Sequence, residues 1–100
     1  MAFLFSYGTL QDAAVQEAVF KRKLKGWPDK LPGFKFSKRK AYGSYPVVLE
    51  TGVASQMISG MAYRIDPEEL ELADAYEGPE YRRMLVDLVS EKKAWLYIGA

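Results

Sequence analysis

Apolar and polar positions along the chain switch several times between a strand period and a helix period. Residues 2–7, Ala-Phe-Leu-Phe-Ser-Tyr, form a short apolar run closed by Gly8, the pattern of a buried central strand. Gly8-Thr9-Leu10 makes a tight turn. A helix follows, with Ala13, Ala14, Ala18, Val19 and Leu24 near helical spacing and Lys21, Arg22 and Lys23 toward its C-terminal end, where the helix dipole favours cations. Gly26 to Gly33 carries two prolines and two glycines and reads as a loop. Phe34 to Tyr42 alternates and then turns basic, which predicts a strand with one exposed face. Gly43-Ser44 turns the chain into a strand over Tyr45–Leu49, with Pro46 tolerable near its start.

Met57 to Ile65 has apolar residues at both parities, so the pattern predicts a strand buried on both sides, with Gly60 leaving room for a neighbour or ligand. Asp66-Pro67-Glu68-Glu69 is a helix start: an Asp cap, proline in the first turn, then acids. Leu70, Ala73 and Ala75 or Tyr76 give that helix its inner face, and it ends at Glu77, before Gly78-Pro79. Tyr81–Val89 alternates as a strand, Glu91-Lys92-Lys93 makes a charged hairpin, and Ala94–Ile98 closes the sheet. The predicted order is β-α-β-β-β-α-β-β. About six short strands with two helices imply an α+β domain whose sheet curls into a small mixed β-barrel. Residues 1–100 form one domain, long enough for a single core.

Composition narrows the chemistry. The chain is 49% hydrophobic and 14% aromatic, which is globular, and it contains neither Cys nor His. Those two absences remove disulfides, thiol nucleophiles, histidine bases and nearly all zinc chemistry. Acid–base catalysis would fall to Asp, Glu, Lys or Tyr. No apolar run approaches the ~20 residues of a membrane span, and the first residues lack the basic start of a signal peptide, so a soluble cytoplasmic protein is expected. The net charge of +1 hides a segregation. Residues 21–40 hold nine basic residues and one acid, whereas residues 50–80 hold eight acids and one base. A basic stretch of this kind can mark a nucleic-acid surface, but this one lacks interleaved arginines and stacking aromatics, so a solvated face is expected, with no nucleic-acid partner.

Glu77 is the candidate with chemistry. As the last side chain before the Gly78-Pro79 break it meets the negative end of the helix dipole, and Tyr76 and Tyr81 flank it. Both influences would push a carboxyl pKa upward, toward the range useful for moving protons. Taken alone, a Glu-Gly helix end is more simply an ordinary glycine cap. Likewise a strand feeding a helix through Gly8 can aim backbone N–H groups at an anion or an oxyanion, yet it is first an ordinary βα turn.

Two separated segments change that balance. Tyr7-Gly8-Thr9-Leu10 resembles the YG(S/T)L turn of the γ-glutamylcyclotransferase-like superfamily, and Asp74-Ala75-Tyr76-Glu77-Gly78 with Tyr81-Arg82 resembles that family's D-x-(Y/F)-E-G…Y-x-R segment. Arg82 and Arg83 are adjacent, and either can match the arginine. Gly60-Met61-Ala62-Tyr63-Arg64-Ile65 and Ala94-Trp95-Leu96-Tyr97 are similar to family segments as well, so the likeness spans nearly the whole chain. The missing Asn of the Y-G-S-N-L form brings the sequence nearer the γ-glutamylamine cyclotransferase branch. The resemblance implies a mixed barrel with a cavity, in which Glu77 is a general acid/base. Tyr7, Gly8, Thr9, Leu10, Tyr81 and Arg82 would contact a γ-glutamyl amine or amide. It implies cofactor-free release of 5-oxoproline by the substrate's own α-amine. The alternative is a binding protein that uses the same cavity without turnover.

Overall fold

The computed structural model describes residues 2–100. Its elements in chain order are β1 (Ala2–Ser6), α1 (Ala13–Phe20), β2 (Lys25–Pro32), β3 (Phe34–Ala41), β4 (Tyr45–Glu50), β5 (Met57–Ile65), α2 (Pro67–Glu77), β6 (Tyr81–Asp87) and β7 (Lys93–Gly99), with a 3₁₀ turn at Thr9–Gln11. Five strands form one mixed sheet in the order β2-β5-β1-β7-β6, and β3 pairs with β4 as a separate hairpin. The apolar run of β1 is central because it is paired on both edges, antiparallel to β5 and parallel to β7. Every second residue of β1 faces the opposite layer. Leu4 joins Leu10, Phe20, Leu70 and Ala73 under the two helices, whereas Phe5 joins Phe34, Val48, Ile58 and Leu96 under the hairpin.

The described residues hold seven strands, because Lys25–Pro32 is a strand and not the expected loop. It pairs antiparallel with β5 along its full length, from Lys25 opposite Arg64 to Pro32 opposite Met57. The prolines are tolerated because β2 is an edge strand: Pro28 and Pro32 share the parity of Lys30, whose carbonyl points away from β5 and accepts from Val89 N at 3.0 Å. Missing N–H groups on that side cost no ladder bond. A small mixed barrel is the expectation from sequence, and among the described residues no closed barrel is found. Strand pairing leaves β2 and β6 as opposite edges. They meet at one end only, through the Val89–Lys30 bond and the Ser90 Oγ–Asp29 contact. The outcome is a curled α+β sheet with a hairpin laid over it.

α1 is shorter than its apolar spacing predicts. Asp12 caps it, accepting from Ala14 N at 2.8 Å, and Lys21 ends it in the left-handed region at φ 62°. Leu24 therefore lies beyond the helix but stays buried, its N–H donating to Gln16 Oε1 at 2.9 Å. The Nε2 of the same buried Gln16 donates to Leu10 O at 2.8 Å, which fixes the turn after β1. α2 begins as expected: Asp66 N donates to Glu69 Oε1 at 2.8 Å, and Arg22 donates to both oxygens of that carboxylate at 2.9 and 2.6 Å. This ties the end of α1 to the start of α2. β5 differs from the expected two-sided strand in its first half, where Met57 and Ser59 are exposed. Among the described residues, no helix is long and apolar enough to cross a membrane.

Candidate active site

Where β1 ends, the chain stops pairing and turns, and both core layers open onto one cavity of about 170 Å³. It lies between the turn after β1, the C-terminal end of α2, the start of β6 and the tip of the β3–β4 hairpin. Its lining includes Tyr7, Gly8, Thr9, Leu10, Glu77 and Tyr81, so six of the seven residues singled out from the sequence come together. Arg82 does not. It is exposed on β6 and faces outer grooves on either side of the strand, apart from Glu77. Arg82 is not in the cavity lining and borders an outer groove together with Tyr81 and Arg83.

Arg83 is the arginine with a defined partner. Its Nε and Nη2 hold the two oxygens of Asp74 at 2.8 and 3.1 Å, and its guanidinium lies over the Trp95 ring at 4.6 Å from the centroid. Tyr97 donates to the same Asp74 carboxylate at 2.7 Å. Asp74 is held below its ordinary pKa chiefly by the Arg83 bond. The cluster anchors the last turn of α2 to β6 and β7, three residues before Glu77.

Glu77 is the last residue of α2. Burial pushes its carboxyl up to about 7, with no hydrogen bond or cation to offset it. The helix C-terminus acts in the same direction. Its backbone is pinned: Tyr42 Oη donates to Glu77 O at 2.7 Å, and Glu80 N donates to Tyr42 Oη at 3.3 Å. Gly78 makes that approach possible. Its φ is +76°, and a Cβ there would strike the Tyr42 hydroxyl.

The tyrosines around Glu77 are largely committed to the protein. Tyr7 Oη donates to Tyr97 O at 2.6 Å, and Tyr81 Oη donates to Pro46 O at 2.6 Å. Burial is the leading cause that pushes Tyr81 up to about 12 and raises Tyr7 and Tyr97 as well, with the Glu77 charge adding to each. All three are neutral at ordinary pH. Across the cavity, Gly8 N donates weakly to Ser6 Oγ at 3.3 Å. Thr9 N and Leu10 N stand at the head of the 3₁₀ turn, where the turn itself offers no acceptor. The Leu10 side chain is buried among the residues under the helices. Thr9 Oγ1 lies 2.6 Å from Tyr76 Oη, linking turn to helix over the cavity.

Sequence reasoning missed Tyr42, Tyr45 and Pro46 from the hairpin, and Tyr97 from β7. The only local signal for the hairpin was its Tyr-Gly-Ser-Tyr-Pro turn. Nothing local says that this turn reaches Glu77, 35 residues away. Among the described residues, no three Asp or Glu side chains gather as a metal-binding group.

The class defined by this geometry is an α+β domain with a small cavity holding one desolvated carboxylate opposite a glycine turn. The chain belongs to the γ-glutamyl cyclotransferase, AIG2-like family, whose profile matches residues 4–100. Two Arabidopsis thaliana proteins known from solution structures share the fold at TM-scores of 0.83 and 0.81, with 25% and 28% identity. Each alignment covers 98% of this chain but only 61% and 68% of theirs, so this chain spans roughly two thirds of their length. A structure described as a gamma-glutamyl cyclotransferase aligns over 99% of this chain and 66% of its own, with a TM-score of 0.74 and 13% identity, a likeness of fold. No curated protein matches the sequence.

Proposed function

We propose that this protein is a cofactor-free cyclotransferase that converts a γ-glutamyl amine or amide into 5-oxoproline and a free amine, with Glu77 as the proton-transfer group. The observation that carries the reading is Glu77 itself: a carboxyl raised to about 7 by burial, in a cavity walled on another side by the Gly8-Thr9-Leu10 turn. Family membership supports the reaction class. The Glu77 carboxylate takes a proton from the substrate α-ammonium. The freed nitrogen attacks the γ-carbonyl carbon and forms the new C–N bond of a five-membered ring. The resulting oxyanion, or the substrate α-carboxylate, is met by the amide N–H groups of Thr9 and Leu10. Collapse breaks the bond to the leaving amine as Glu77 returns its proton there, and the ring nitrogen gives up its second proton to the re-ionised Glu77 or to solvent, leaving the lactam N–H. Substrate nucleophile and electrophile belong to one molecule, so the cavity has only to hold the folded conformer. A carboxyl near 7 can act as base and then acid at neutral pH.

Mass spectrometry of incubations with γ-glutamyl amines and amino acids tests this. The native protein is expected to release 5-oxoproline, and Glu77→Gln to lose at least about 100-fold in kcat/KM. Ligand-induced thermal shifts without any turnover, and unchanged in Glu77→Gln, would overturn the enzyme reading in favour of a binding protein.

A further inference from the structure

Within the reading just given, the mouth of the cavity defines the leaving group. We infer that Tyr42, Tyr45 and Tyr76 form a leaving-group subsite that selects γ-glutamyl amides of ring-bearing amines lacking a carboxylate.

The proposed chemistry assigns the two halves of the substrate: with the γ-carbonyl held between Glu77 and the Gly8-Thr9-Leu10 turn, the glutamyl half lies inside the cavity. The deep wall comprises Phe5, Ser6, Leu10 and Tyr97, all buried, together with the turn that offers free N–H groups. The leaving half must then stand in the mouth, where Tyr42 is 45%, Tyr45 47% and Tyr76 40% exposed.

What the mouth offers is chiefly ring surface. Tyr42 Oη donates its proton to Glu77 O and Tyr76 Oη is paired with Thr9 Oγ1, so of the three hydroxyls Tyr45 Oη is the one with no partner among the described residues. The Tyr45 ring meets the Tyr42 ring edge to face at 6.4 Å and 77°, and Tyr42 in turn lies 6.3 Å from Tyr81. A further ring docking here extends an aromatic cluster already assembled.

Charge sets the second criterion. Among the described residues Glu77 is the only Asp, Glu, Lys or Arg in the lining, and the Glu80 carboxylate sits beside the mouth, accepting from Tyr42 N at 3.2 Å. Arg83 is committed to Asp74, the carboxylate to which Tyr97 also donates. No lysine or arginine among the described residues lines the cavity to receive a second carboxylate next to the scissile amide. A γ-glutamyl α-amino acid carries one there, so the mouth repels it.

Three amides that differ only in the leaving amine, compared by kcat/KM with the native protein, test the subsite. They are γ-glutamyl-phenethylamide, γ-glutamyl-phenylalanine and γ-glutamyl-butylamide, with γ-glutamyl-(4-aminobutyl)amide as a cationic control. The phenethylamide is expected to exceed the butylamide by roughly 3- to 10-fold through ring contacts, and the phenylalanine amide by at least about 10-fold through charge. Tyr45→Ala, which removes a side chain with no hydrogen bond of its own, is expected to bring the ring-to-alkyl ratio toward one. Turnover in which the phenylalanine amide or the butylamide is preferred to the phenethylamide, or in which the cationic amide is discriminated against as strongly as the phenylalanine amide, would overturn the subsite and leave the cyclotransferase reading standing. Absence of turnover with all four would sink both.

Discussion

At the residue scale, Glu77 carries opposed demands. Its carboxyl titrates near 7 in the folded protein against about 4.3 in an unfolded chain, so between those values the folded state binds the extra proton. Stability from this group is therefore greatest at low pH and falls as pH rises toward 7, the reverse of a salt-bridged carboxylate. Replacing the charge removes that penalty. Glu77→Gln is expected to raise stability at pH 8 by about 1–3 kcal/mol and to lose this gain as the pH is lowered toward 4.5, measured by urea denaturation at several pH values. The native kcat/KM is expected to rise with pH along a limb centred near 7, because the base must first be ionised. A variant equally stable at pH 8 and pH 4.5, relative to the native protein, would show that Glu77 is solvated. The sequence singled out this residue; Tyr42, Tyr45 and Tyr97, which share its cavity, are tied to it by no local pattern.

At the scale of elements, the site depends on how α2 stops. Gly78 permits a φ of +76° and leaves space for the Tyr42 hydroxyl, so one residue joins the helix end to the hairpin turn. Gly78→Ala is expected to cost about 2–3 kcal/mol, from backbone strain together with displacement of Tyr42, read as a fall in Tm alongside reduced turnover. Gly43 has a φ of +79°, but a Cβ added there would meet nothing within 4 Å, so a change at Gly43 carries only the strain. The two should differ for that reason. The helix starts, caps and ends were legible in the sequence because they are local events within three or four residues. β2 was not, since proline is penalised locally and forgiven only when the strand lies at an edge with its prolines facing outward.

The whole molecule places the turn after β1 by clamping β1 between β5 and β7. Gly60 is where β5 comes closest: a Cβ there would strike Ser6 O, and the Phe5 ring stands 2.7 Å from the same point. The space Gly60 leaves is taken by β1 and not by a ligand. Gly60→Val is expected to force the strands apart, costing more than about 2 kcal/mol and unseating Tyr7 and Gly8 from the cavity wall. Circular dichroism melting and amide-exchange protection of β1 would check it, and native-like protection with full stability would contradict it. The nine basic residues between 21 and 40 that are contiguous in sequence are separated in space. They fall around the end of α1, on β2 in the main sheet and on β3 in the hairpin, and Arg22 is bound to Glu69.

The sequence by itself determined the α+β composition, the central place of β1 and the caps of α2, and it singled out Glu77 and the Gly8 turn as candidate residues that the fold brings to one cavity. These follow from periodicity, capping and residue type, which act over a few neighbours. Tertiary structure decided the seventh strand, the open curl of the sheet, the place of Arg82 outside the cavity lining and the tyrosines that share the cavity with Glu77. Each of those depends on which segments distant in the chain share an edge or a face, and that is set by how the whole apolar surface is buried at once.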